Sequence, residues 1–271
     1  MPALQGPRSW VGAPTMKPDP GGFPQRRASE IPSVTGPQMR EIQRVAQEDY
    51  GYDILQITEN AGRSVAVLAL AMLGGKGKRQ GVVVLFGGGN KGAVGLCAAR
   101  NLANWGFTVR PVLADVESEA SFAVKRQVEL LRQAGIAEPG GADTSEIILE
   151  DHLVRAELVI DALVGYGLEG PPSGVAAAAT EIAVASRKPI LAIDVPTGVN
   201  ATTGVVSSPA IKACTTLMLD LPKRGILEPG ATASVGHLYL GDLGIPLRVH
   251  EGLGIQADSI FSEGPIVRIR R

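Results

Sequence analysis

A chain of 271 residues with 45% hydrophobic content has ample apolar surface for the core of one large α/β domain. Its 26 basic and 27 acidic residues leave a net charge of −1, so nothing marks a broad nucleic-acid or anionic-membrane surface. Cys97 and Cys214, its two cysteines, both lie in apolar segments, so buried thiols in a reducing, cytoplasmic compartment are expected rather than a disulfide framework.

Residues 1–33 contain Pro2, Pro7, Pro14, Pro18, Pro20, Pro24 and Pro32 with several glycines and no hydrophobic period, a composition that predicts a disordered tail. No apolar run there reaches the length of a signal peptide or membrane span, and neither is expected. Residues 34–248 are expected to form the folded domain and 249–271 a C-terminal extension, in which Ile266, Val267 and Ile269 alternate with arginines as in an edge strand.

Thr35-Gly-Pro-Gln38 reads as a capping box, followed by Met39, Ile42, Val45 and Ala46 at helical spacing. A second helix is predicted over 54–73, ended by Gly74 and Gly75. Glu59, Asn60 and Arg63 lie near its start, and on spacing alone Asn60 and Arg63 fit a solvated face. Val82–Phe86 is an unbroken apolar run typical of a strand buried on both faces, with a helix expected from about Leu96 to Trp105. Strands at 108–113, 158–160 and 189–193, and helices at 122–134 and 175–186, continue the alternation. A loop at 138–143 and short strands at 215–219 and 238–240 complete it. The pattern implies an α/β fold, a mostly parallel sheet with helices on both faces.

The chemistry gathers at three strand ends. Gly87, Gly88, Gly89, Gly92 and Gly95 follow the buried run, letting the backbone turn sharply and approach a ligand; phosphate is the natural guest of such a strand-to-helix turn. Neither the P-loop nor the dinucleotide G-x-G-x-x-G fingerprint fits. Asp161 and Asp194 end two later strands, each followed by a glycine-containing loop. Either aspartate alone can simply cap a turn, but together, beside the glycine turn, they point to an active site in which one holds a cation and the other exchanges a proton. His152, His237 and His250 show no metal spacing and read as surface or strand-end residues. Lys223 and Arg224, after a strand, read equally as a phosphate-steering pair or a solvated turn.

The segments TGPQMREIQRVAQEDYG, ITENAGRSVA, GGGNKGAVGLCAARNLANWGF, LVIDALVGYGL, LAIDVPTGVNATTG, LPKRG and GDLGIP, spread over Thr35 to Pro246, resemble the NAD(P)H-hydrate epimerase family, also called the YjeF N-terminal domain family. The resemblance implies a Rossmann-like three-layer αβα sandwich with two N-terminal helices. It further implies an isomerase that interconverts the R and S forms of hydrated NADH and NADPH, as a homo-oligomer beside a separate dehydratase. It assigns Asp194 as the acid/base, Asp161 and Thr197 as potassium ligands, and the loop from Gly165 through Tyr166, Gly167, Leu168, Glu169 and Gly170 to Pro171 as the wrap around the substrate's phosphates. Asn90, Lys91, Gly92, Ala93 and Val94 fall on the family's G-P-G-N-N-G-G-D-G motif, another substrate-binding segment. There Lys91 replaces an asparagine that supplies an ion ligand, and Val94 replaces an aspartate. Lysine has only donors, so the Lys91 ammonium is expected to take the ion's place, pairing with Asp161 or with a substrate phosphate. The same two changes also fit a nucleotide-binding or scaffold protein that has kept the cleft and lost catalysis.

Overall fold

Val82, Val84 and Phe86 of strand β2 (Gly81–Phe86) pack with one hydrophobic cluster and Val83 and Leu85 with another, and all five are buried. A strand with apolar side chains on both faces needs cover on both, and helices supply it. The computed structural model describes residues 16–74, 81–114, 120–136, 146–168, 170–257 and 260–271. On one face lie α1 (Gly36–Glu48), α2 (Ile54–Met72), α3 (Asn90–Asn104) and α4 (Phe122–Gln133); on the other, α5 (Glu146–Val154) and α6 (Gly174–Ala185). The remaining strands are β1 (Gln25–Arg27), β3 (Thr108–Leu113), β4 (Ala156–Ala162), β5 (Ile190–Ile193), β6 (Thr215–Leu219), β7 (His237–Gly241) and β8 (Ile266–Arg270). With β2 they form one sheet in the order β1-β8-β7-β6-β5-β4-β2-β3, parallel throughout except where β7 meets β8. This is the expected three-layer α/β sandwich. Among the described residues, no helix is long and apolar enough to cross a membrane.

Local chemistry sets the helix starts. Thr35 Oγ1 accepts from the Gln38 N–H and the Gln38 side chain accepts from the Thr35 N–H at 2.9 Å, the capping box expected from sequence. Asp53 and Gln56 repeat the device at α2.

Three expectations are corrected. Helix α3 begins at Asn90, not near Leu96. Its glycine-rich first turns look like loop, but they are small because the helix lies almost on the sheet: a Cβ on Gly92 would sit 1.9 Å from the Gly87 carbonyl oxygen, and one on Gly95 2.4 Å from Ala162 Cβ. Residues 16–33 of the expected disordered tail are structured. β1 pairs with β8, Ile31 is buried, and the Asp19 carboxylate accepts from the Tyr239 hydroxyl at 2.5 Å and pairs with Arg268. Proline is compatible with an extended outer strand, so its density here marks an edge rather than disorder. Residues 1–15 lie outside the described residues, as do Gly75 and the expected loop at 138–143. Finally, β8 is not the edge of the sheet but lies between β7 and β1, so the sheet runs through the segment expected as a C-terminal extension.

α5 went unrecognised in the sequence, as did the short helices α7 (Arg224–Leu227), α8 (Thr232–Val235) and α9 (Leu247–Gly252). Each is at most nine residues long, too short for a hydrophobic period to declare itself.

Candidate active site

From β2 the chain runs outward to β3 and then crosses back over β2 to β4. Strand order therefore reverses between β2 and β4, and the crevice at the carboxyl ends of such strands is where this class of sheet takes ligands. A cavity of about 450 Å³ opens there. Gly88, Gly89, Asn90 and Lys91 reach it from the β2–α3 turn, Gly165, Tyr166 and Gly167 from the loop after β4, Asp194 from the end of β5, and Lys223 from the start of α7. Arg40 and Gln43 of α1 and Thr58 of α2 close another side, while Ile54, Ile57, Val94, Leu163, Leu219 and Leu243 provide apolar wall. The three strand ends singled out in the sequence thus meet around one hollow.

Lys91, in the first turn of α3, turns its amine inward across the β2/β4 junction. Nζ donates to Asp161 Oδ2 at 3.1 Å, to the carbonyl oxygens of Val164 at 3.0 Å and Val195 at 2.8 Å, and toward Thr197 Oγ1 at 3.3 Å. Every neighbour is an acceptor, so the amine is matched to these contacts in its three-proton ammonium form. Burial pulls the Lys91 pKa below its ordinary value, against the upward pull of Asp161 and, more weakly, Asp194. Asp161, fully buried, accepts in addition from the Thr197 N–H at 2.9 Å, the Leu163 N–H at 3.1 Å and the Thr197 hydroxyl at 2.7 Å. The carboxylate, the hydroxyl and the two carbonyls form an oxygen-rich cage of the type hard cations take. Among the described residues, no group of three or more His, Cys, Asp or Glu side chains converges as a metal site.

Asp194 departs from the strand with φ 61°, a left-handed conformation that aspartate tolerates better than most residues. Its N–H is held by the Leu217 carbonyl at 2.7 Å, and the bend turns its carboxylate toward the end of β6. There Oδ1 accepts from the Leu219 N–H at 3.2 Å and faces Lys223 Nζ at 2.5 Å. Lys223 is 1% exposed, donates to the Leu219 carbonyl at 2.7 Å and stands 5.9 Å from the centre of the Tyr166 ring. Burial first, then the charge of Asp194, push the Tyr166 hydroxyl up to about 12, so it stays a donor and gives its proton to Gln43 Oε1 at 2.6 Å.

A model of the family described as YjeF-related protein N-terminus matches residues 55–225, more than half of the chain. The chain belongs to this family. It is 40% identical over 91% of its length to an NAD(P)H-hydrate epimerase of Dehalogenimonas lykanthroporepellens, covering 96% of that protein. It is 31% identical over 81% of its length to another of that name from Rhodopirellula baltica, covering 87% of it. A bifunctional NAD(P)H-hydrate repair enzyme of Thermofilum pendens is 32% identical over 82% of the chain, which spans only 42% of that longer protein. In fold, the crystal structure of the yeast protein YNL200c superposes with a TM-score of 0.73, covering 88% of this chain and all of the yeast chain at 24% identity.

The site of this YjeF-related chain gathers most, not all, of the residues expected from sequence. Asn90, Lys91, Val94, Gly165, Tyr166, Gly167 and Asp194 line the cavity. Gly92 and Ala93 are buried beneath it in the packing of α3 on the sheet. Leu168, Gly170 and Pro171 lie further along the same loop and do not line it, and Glu169 is outside the described residues. Thr197 and Asp161 sit behind Lys91 as its acceptors. Asn60 braces the scaffold, its amide donating to the Leu243 carbonyl and the Tyr52 hydroxyl at 2.9 Å each.

Two lysine and histidine readings need correction. Lys223 is neither a solvated turn residue nor free to steer phosphate, because it is buried against Asp194. His250 is not a surface residue: 3% exposed, it meets Asp220 through Nε2 at 2.9 Å. Arg40, Gln43 and Thr58 were missed as lining residues. Their only sequence signal is position on two capped helices, which does not say which residues face the cavity.

Proposed function

We propose that this protein is an NAD(P)H-hydrate epimerase, interconverting the R and S forms of hydrated NADH and NADPH. The observation that carries this reading is the buried Asp194–Lys223 pair opening onto the cavity at the β2/β4 junction. It is supported by 40% identity, over nearly the full length of both chains, to a protein of that name.

The hydrated nicotinamide ring carries a hydroxyl on a carbon next to the ring nitrogen. Protonation of that hydroxyl lets it leave as water, and the nitrogen lone pair then gives a planar iminium that water can attack from either face. One water leaves and one enters, and the proton given at the first step is recovered at the second. Asp194 and Lys223 together can hold that proton, Asp194 being the group assigned to meet the substrate and Lys223 keeping its charge balanced in a dry site. The apolar wall of Ile54, Ile57 and Leu243 suits the ring. The N-terminus of α3 at Asn90 and the Arg40 guanidinium suit the anionic phosphates of the dinucleotide, because backbone N–H groups and the helix dipole favour negative charge there.

A separate dehydratase that consumes one epimer is the partner this activity calls for, in keeping with relatives whose name is bifunctional repair enzyme. The deciding experiment follows the conversion of pure R-NADHX to the R/S mixture by chiral or reversed-phase chromatography. Acceleration over the spontaneous rate is expected; binding of the nucleotide without acceleration would make the protein a scaffold with an inherited cleft.

A further inference from the structure

We infer that the Lys91 ammonium is this protein's own built-in monovalent cation, filling an oxygen cage that in its absence would take a metal ion, so that the protein neither binds nor needs potassium. The cage draws on separate stretches of chain. Asp161 ends β4, Val164 lies in the loop that follows it, and Val195 and Thr197 follow β5. Two carbonyl oxygens, one carboxylate and one hydroxyl converge on a single point, and Nζ occupies it at 2.8 to 3.3 Å from all four. These are hard oxygen donors, the kind a group 1 or group 2 ion collects.

The cage does not depend on the lysine for its shape. Asp161 is oriented by the N–H groups of Leu163 and Thr197, and the Thr197 hydroxyl accepts from the Val164 N–H at 3.1 Å. It does depend on something for its charge. A fully buried carboxylate flanked by carbonyl dipoles needs a cation beside it. No described arginine or other lysine has an ion pair with Asp161; Lys91 alone supplies one. Its stem runs past Gly165, where a Cβ would lie 3.5 Å from Lys91 Cδ, and its side chain is 7% exposed.

A metal ion within bonding distance of the same four oxygens would overlap Nζ, and the two positive charges would repel across a medium that screens poorly. The tethered cation has the advantage that it loses no translational freedom on binding, so the site is filled at any ionic composition. It also joins the β2–α3 turn to the loops after β4 and β5, the three segments that shape the cavity.

The cation test needs no substrate, so its failure is distinguishable from failure of the epimerase reading. Wild-type protein and the variants Lys91→Ser and Lys91→Met are melted in potassium chloride and in choline chloride at equal ionic strength. The wild type is expected to show the same Tm in both and no heat on titration with potassium. Lys91→Ser, which opens the cage and adds an oxygen, is expected to melt lower in choline and to recover by roughly 5 °C at saturating potassium. Lys91→Met keeps the stem without the charge and is expected to be destabilised in both salts. A potassium-specific shift or binding heat in the wild type overturns the inference, as does a folded Lys91→Ser indifferent to potassium. If Lys91→Ser folds only with potassium, the inference stands. If it folds in neither salt, the wild-type titration decides alone.

Discussion

Lys223 Nζ stands 2.5 Å from Asp194 Oδ1, with less than a tenth of either side chain exposed. The Leu219 N–H shares the same carboxylate oxygen, and the Leu219 carbonyl takes a second lysine proton. Aspartate and lysine are therefore positioned by β6 as much as by their own loops. A pair so dry is costly to assemble and costly to break on one side only, and its place on a cavity wall is what makes that cost worth explaining by chemistry.

Asp194→Asn keeps the shape of the side chain and removes its ability to exchange a proton. Turnover of R-NADHX is expected to fall by about 10²–10⁴-fold with KM little changed, the usual contribution of a general acid–base group. Thermal melts on the same preparation separate loss of chemistry from loss of fold. Retained turnover in a folded variant removes Asp194 from the reaction.

Lys223→Met leaves the Asp194 carboxylate buried without its ammonium. Urea unfolding is expected to show a loss of about 3–5 kcal/mol. The double variant Asp194→Asn/Lys223→Met should recover part of that loss, giving a coupling energy in a double-mutant cycle. Additivity of the two single changes would show that the ion pair has no energetic meaning.

Gly92→Ala tests the packing that places Lys91. Inside a helix, alanine is worth roughly 1 kcal/mol over glycine. Here the added Cβ would lie 1.9 Å from the Gly87 carbonyl oxygen, backbone that cannot rotate away, so overlap outweighs propensity. A net loss of about 2 kcal/mol or more is expected in denaturant unfolding. A variant as stable as wild type would mean that α3 can lift off the sheet freely.

The His250–Asp220 pair gives the stability a pH dependence. Burial pulls the His250 pKa down, but hydrogen bonding to Asp220 and its charge outweigh it, and the net shift is upward. A raised folded-state value means that the ion pair contributes fully below the unfolded value of about 6.5 and is lost as pH rises through the folded value. Unfolding free energy measured from pH 6 upward should therefore decline across that window in the wild type. In His250→Gln that part of the profile should be flat; an unchanged slope would assign it to another group.

Much of this protein is written in short-range pattern. The two-faced run Val82–Phe86, the capping box at Thr35, and the acidic strand ends at Asp161 and Asp194 are all local signals. They follow from backbone geometry and the hydrophobic period, which act over a few residues, and a parallel sheet whose strand ends converge follows from their alternation. What local pattern could not declare is where long polar side chains go. That Lys91 meets Asp161, across 70 residues of sequence, is expected through the family resemblance alone; its contact with Val195, across 104, is not expected, and Lys223 finds Asp194 only because β5 and β6 lie side by side. The same holds for β1, a proline-bordered stretch that reads as tail until β8 offers it hydrogen bonds, and for α3, whose glycines read as loop until the sheet comes close beneath them. Charges and small residues carry no period of their own. Their partners are fixed through space, by desolvation and close packing, and only the folded chain holds those distances.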